Sequence, residues 1–204
     1  MQKVQKWSNY IERLVIFCCV GIWLIGCSVA MGMMEKEKHI QQEIADKVIR
    51  FHVIANSDSQ EDQQQKLEVR DAVVAALEPV LEGAESKEES RRVILEHMGM
   101  IENTAAAVAE DAPVQISLMT GYFPEITYGE MTFPEGEYEA LRIEIGEAKG
   151  HNWWCVLYPG LCFDEVSRPV VTEQGKEQLN MVLEEEAYEW MLHPEKIRIR
   201  FRWF

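Results

Sequence analysis

Val48-Ile49-Arg50-Phe51-His52-Val53-Ile54-Ala55 followed by Asn56-Ser57-Asp58-Ser59 is the stretch on which the fold turns. The first eight residues are rich in β-branched and aromatic side chains and predict a strand. The next four supply helix-capping chemistry, with Ser57 three residues before Gln60 and Ser59 three before Asp62. The helix they start runs to about Leu81. Leu67, Val74, Leu77 and Leu81 recur on one face, and Gly83 stops it.

Working outward, the same alternation of element types continues. A second helix is expected from Ser86 to about Glu110, with Ile94, Met98, Ile101, Ala105 and Val108 as its apolar stripe. Pro113 ends it, and Val114 to Met119 reads as a strand. Residues Gly121 to Pro134 are turn-rich, with strand-like pieces such as Ile126-Thr127-Tyr128. Glu137 to Ile145 alternates with one irregularity, as a half-buried strand should. Trp153 to Leu157 predicts a core strand leading into the turn Pro159-Gly160. Thr172 caps a last helix to about Trp190, carrying Leu179, Val182, Leu183 and Trp190 inward. Lys196 to Phe204 alternates Ile197, Ile199, Phe201 and Trp203 with Arg198, Arg200 and Arg202, an amphipathic strand whose basic side guards against edge pairing. Strands separated by helices make an α+β domain or an α/β sandwich.

Upstream lies a segment of another kind. Leu14 to Met34 holds 21 residues without a charge. As a helix it spans roughly 31 Å, the thickness of a bilayer's hydrocarbon core. Lys3, Lys6 and Arg13 precede it against one acid, Glu12, which leaves the N-terminus inside and sends the chain beyond Met34 across the membrane. Three fates are open to it: a retained anchor, cleavage after the small residues of Ser28-Val29-Ala30, or lipidation of Cys27 in Leu24-Ile25-Gly26-Cys27. The organisation expected is a signal or anchor segment over 1–34, a charged stalk over 35–47 and one exported domain over 48–204.

Composition narrows the function. Beyond Met34 there are 34 acidic and 17 basic residues. Such a domain repels phosphates, so nucleic acid is excluded as a partner. There is no phosphate loop, no H-E-x-x-H and no paired C-x-x-C, and His39, His52, His97, His151 and His193 share no ligand spacing. No metal, cofactor or small-molecule substrate is expected. Cys155 and Cys162, the two cysteines of the exported part, are either a disulfide across a small loop or two buried thiols. A thiol nucleophile would need His151 or His52 as its base, and positions 151 and 155 on a straight strand lie about 13 Å apart. The better candidates are recognition residues: Arg50 and His52 on one face of the first strand, Asn56 and Asp58 after it, Arg70 and Asp71 on the helix, and His151, Asn152, Trp153 and Trp154 around the late strand. Adjacent tryptophans on a strand face opposite ways, so one is expected in the core and one at the surface.

Arg50 to Ser59, Glu61-Asp62, Lys66-Leu67 and Val69-Arg70-Asp71-Ala72-Val73 resemble the opening block of the stage II sporulation protein R family. So do Gly150-His151-Asn152-Trp153-Trp154-Cys155-Val156-Leu157, Pro159 and Leu161-Cys162-Phe163. Gly160 departs from the pattern, where a second proline is expected. The resemblance implies a non-enzymatic signalling protein, exported from the forespore into the space between the two membranes of a sporulating cell. There it activates a membrane-embedded aspartic protease of the mother cell through its extracytoplasmic face, and the protease trims a sigma-factor precursor. An exported thiol-dependent cell-wall hydrolase and an envelope tether are the alternatives.

Overall fold

The computed structural model describes residues 2–160, 171 and 173–194. It divides into two compact units, residues 1–40 and 41–204. The first is the greater part of one long helix, α1 (Gln2–Lys47), which contains a window apolar enough and long enough to cross a membrane. The stretch expected as a stalk continues this helix without a break. Its last turns, from Gln41, belong to the second unit, where Ile44 and Ala45 are buried.

The second unit is an α+β domain. Its sheet contains β1 (Ile49–Ile54), β2 (Val114–Phe123), β5 (Gly136–Ile145) and β6 (Asn152–Tyr158) in the order β2-β5-β1-β6. A separate hairpin pairs β3 (Ile126–Tyr128) with β4 (Met131–Phe133). The central strand β1 runs parallel to β5, with Arg50 opposite Ala140, and antiparallel to β6, with His52 opposite Trp154. All six β1 residues are buried, because both faces of the sheet are covered at this strand.

One face of the sheet is apolar. Ile49, Phe51 and Val53 meet Leu141, Ile143 and Ile145 there, under α2 (Gln60–Leu81) and α4 (Met98–Ala109). Fully burying one such side chain is worth about 1.5–3 kcal/mol, so this helix-covered core dominates the stability. The buried stripe of α2 is Lys66, Val69, Arg70, Val73, Val74, Leu77 and Leu81. It contains two cations that an apolar count passes over, while Leu67 is only half-buried. Gly83, at φ +90°, makes the turn after α2, a conformation that L side chains rarely adopt.

Two expected helices are broken. The stretch from Ser86 forms α3 (Lys87–Glu96) and α4, separated at His97. There the backbone leaves the helical range at φ −104°, ψ 11°, and the ring nitrogen Nδ1 lies 2.8 Å from the Val93 carbonyl. The last helical stretch forms α5 (Glu173–Val182) and α6 (Glu185–Leu192). Glu184 between them is extended, and its N–H donates to the Glu43 carboxylate at 2.7 Å. The first strand after Pro113 extends four residues beyond expectation, to Phe123. Cys162, Thr172 and the amphipathic segment Lys196 to Phe204 lie outside the described residues.

Candidate functional site

The capping segment after β1 is clasped to the loop before β6. Ser59 caps α2 by accepting from the Asp62 N–H at 3.1 Å. Ser57 donates to the Asp62 carboxylate, as does Asn56 Nδ2 at 3.0 Å. These hydrogen bonds, Ser57's the strongest, hold the Asp62 carboxyl below its ordinary pKa. Asn56 Oδ1 accepts from the Glu147 N–H at 2.9 Å, and the Asn56 carbonyl accepts from the Lys149 N–H at 3.1 Å. Gly150 donates to the Ala55 carbonyl at 2.9 Å, so close that a Cβ there would collide with the Ser57 carbonyl. Asp58 accepts from the His151 N–H at 2.7 Å and also contacts its Nδ1. Asn56, Asp58 and His151 are thus brought together, with the side chains of the last two exposed.

Beneath this clasp lie the two buried cations of α2. Lys66 Nζ donates to the His151 carbonyl at 3.1 Å and to Gln63 Oε1 at 2.6 Å. Burial, then the neighbouring Arg70, pushes the Lys66 pKa down. Arg70 lies with its guanidinium 4.2 Å from the centroid of Trp153 and donates from Nε to Asp71 at 2.6 Å. Sequence reasoning names Arg70, Asp71 and Trp153 but not their stacking, and it misses Lys66 as the prop of the His151 loop.

The other candidates lie on the opposite, far face of the sheet. Arg50 is fully buried and meets no solvent, so it cannot touch a partner directly. Its Cζ lies 4.8 Å from the ring centre of Phe123, 5.0 Å from Phe133, 5.1 Å from Tyr138 and 5.9 Å from Tyr128. Nη2 donates to the Tyr128 hydroxyl at 3.3 Å, and that hydroxyl donates to the Trp154 carbonyl at 3.0 Å. Nε and Nη1 have no hydrogen-bond partner. Each aromatic face contributes about 0.5–2 kcal/mol, against a burial cost of several kcal/mol for an ion. Burial accordingly lowers the Arg50 pKa and raises that of Tyr138.

Next along the strand, His52 stacks on Trp154 with ring centres 3.7 Å apart and planes 17° from parallel. Phe123 meets both rings edge-on. Burial pushes the His52 pKa down to about 4, with the Asn152 side chain hydrogen-bonded to the ring and acting in the other direction. Both tryptophans are half-buried, one on each face, rather than one in the core and one outside.

Among the described residues, no free thiol is brought to His52. Cys155 is disulfide-bonded and packs against the helix-covered core, whereas His52 faces the opposite side of the sheet. Among the described residues, no group of three or more His, Cys, Asp or Glu could hold a metal ion.

The family model for stage II sporulation protein R (spore_II_R) matches residues 45–168, from the last turn of α1 past the end of β6. The chain belongs to the stage II sporulation protein R family. Stage II sporulation protein R of Bacillus subtilis (strain 168) is 36% identical over 188 residues, covering 85% of this chain and 84% of the relative. No solved structure matches the chain. The family match includes both halves of the clasp and all four strands of the sheet, so the architecture around the candidate residues lies within the family's shared part.

Proposed function

We propose that this chain is an exported signalling protein that activates a membrane-embedded aspartic protease by binding its extracytoplasmic face. The protease then trims a sigma-factor precursor in the mother cell. The observation that carries the reading is the clasp. A charged, exposed pair, Asp58 and His151, is held by backbone and side-chain hydrogen bonds from two loops and propped by the buried Lys66. Such rigid polar loops on a packed scaffold serve recognition. Family membership and the apolar α1 window support export or anchoring at a membrane.

Activation requires tighter binding to the active form of the protease than to the inactive form. Asp58, His151 and the exposed part of Trp154 are the contact candidates; Lys66 supports the His151 loop, and Arg50 supports Trp154 through the Tyr128 hydroxyl. Pairing of Cys155 with Cys162 belongs to this reading, because it removes the nucleophile that a hydrolase would need. Neither sulfur should then take up a thiol reagent in exported protein.

The test uses a non-sporulating host carrying the cognate protease and its sigma-factor precursor. Trimming should appear only when this chain is exported. Asp58→Ala with His151→Ala should reduce it at least tenfold with the domain still folded. Trimming without the chain, or none with it, sinks the reading.

A further inference from the structure

Among the described residues the outer strands of the sheet are β2 and β6, and they are covered unequally. On the helix-covered face Val114, Ile116 and Leu118 of β2 lie opposite Ile145, Ile143 and Leu141 of β5. The three β5 side chains are fully buried. Their β2 partners pack against the same core but are only half-buried. At β6 the last three residues, Val156, Leu157 and Tyr158, are already buried. The β2 edge is also unguarded. Its ten residues contain no charge and no proline, the devices that usually keep an edge strand from pairing with another chain.

The sequence contains a segment complementary to this edge. Lys196 to Phe204 alternates Ile197, Ile199, Phe201 and Trp203 with Arg198, Arg200 and Arg202, the pattern of a strand with one apolar side. The apolar side continues the row of Val114, Ile116 and Leu118, and the basic side supplies the charge that β2 lacks. Those cations are also attracted to a domain with 34 acidic and 17 basic residues beyond Met34. The path of the chain agrees. Helix α6 is about 12 Å long and packs against β4. Strand β4 pairs with β3, which begins three residues after β2 ends at Phe123. The chain therefore leaves α6 close to the Phe123 end of β2. From there the nine residues of the segment extend about 30 Å, back along β2 toward Val114. An antiparallel return of this kind needs no crossover.

We propose that Lys196–Phe204 pairs antiparallel with β2 of its own chain, as a fifth strand of the sheet. Ile197, Ile199, Phe201 and Trp203 face the helix-covered core, and the three arginines face the other way. The occupant is the same chain rather than a second copy because only His193, Pro194 and Glu195 separate the segment from α6. A connection this short gives an effective concentration on the order of millimolar, which a separate chain meets only at that bulk concentration. Closed in this way, β2 is withheld from other chains, and the outer strand becomes one guarded by cations. The assignment goes beyond the activator reading and does not depend on it.

The test uses the full chain in detergent micelles, labelled in its methyl groups and aromatic rings. Nuclear Overhauser contacts are expected from the Phe201 and Trp203 rings and the Ile199 methyls to the methyls of Val114, Ile116 and Leu118. Contacts to Val156 and Leu157 instead would place the segment on β6 and overturn the proposal, as would contacts to neither strand. In an equal mixture of differently labelled chains, filtered for contacts between copies, these signals should vanish; their persistence overturns pairing within one chain. Amide exchange supplies the second readout. The β2 amides that point away from β5 should be protected in the wild-type chain, and Ile199→Pro, which removes a donor from the added strand, should speed their exchange about a hundredfold while the amides bonded between β2 and β5 stay protected. Outward β2 amides that exchange freely in the wild-type chain, or unchanged in the variant, overturn the proposal. If the variant unfolds, so that β5 loses protection too, the wild-type contacts and protection still decide it.

Discussion

The two halves of the far sheet face use cationic side chains in opposite ways. At one end Arg50 is sealed under the β3–β4 hairpin by Phe123, Tyr128, Phe133 and Tyr138. At the other, His52 and Arg142 border an open cavity with unpartnered nitrogens. Both halves contain buried, unpartnered polar atoms, but only the second lies beside a cavity. The difference teaches that a buried unpaired group does not by itself mark a recognition site, since in neither half are these atoms exposed. In the sealed half the same shortage is a cost that aromatic packing must offset.

The largest effect expected from testing this division lies in the sealed half. Phe133→Ala removes a fully buried wall of the cage and should cost about 3–5 kcal/mol in urea unfolding. A loss under 1 kcal/mol would mean that the hairpin does not seal the sheet.

The open half should reveal itself through pH. With its folded pKa near 4, the His52 imidazole stays neutral in the native domain at pH 5, whereas in the unfolded chain it is protonated there. Its contribution is full above about pH 6.5 and is lost as pH falls toward 4, a drop on the order of 3 kcal/mol. His52→Gln should flatten that part of the stability profile. An unchanged profile would place His52 in contact with water.

A smaller effect is expected at the junction of β1 and α2. Ser59→Ala should cost about 1 kcal/mol, the worth of an N-cap, with melting as the readout. Smallest of all, Arg50→Met should change stability by less than about 1 kcal/mol in either direction, or raise it. The cation it removes has one hydrogen bond, and a flexible apolar chain fills the space. A loss of several kcal/mol would show that the cage depends on the charge itself.

The strands and the cap after β1 were legible because each has a local signature: β-branched runs, alternation, and Ser or Asn before a helix. The helix breaks at His97 and Glu184 were not, since both depend on contacts made by a single residue rather than on proline or glycine at the break. The irregularity in β5 was visible and has a structural meaning. On the far face Tyr138 and Ala140 lie toward the sealed half, and Arg142 and Glu144 come next toward the open one. The change from apolar to charged side chains along one face coincides with the end of the cover. Asp58 and His151 were named from sequence but could not be paired, being 93 residues apart. Lys66 was hidden because a buried lysine reads as a surface residue until its acceptors are seen.

The register of the central strand also bears on how the chain is made. Arg50 pairs with Ala140, and Ile49 with Tyr158. Synthesis from the N-terminus therefore produces the middle of the sheet about ninety residues before either neighbour exists. Contacts this distant form slowly, and an unpaired hydrophobic strand is exposed to aggregation in the interval. Any chain cut short before β5 retains β1 and α2 but has no sheet to bury them in. Folding of this domain therefore waits on β5 and β6, the two strands that flank β1.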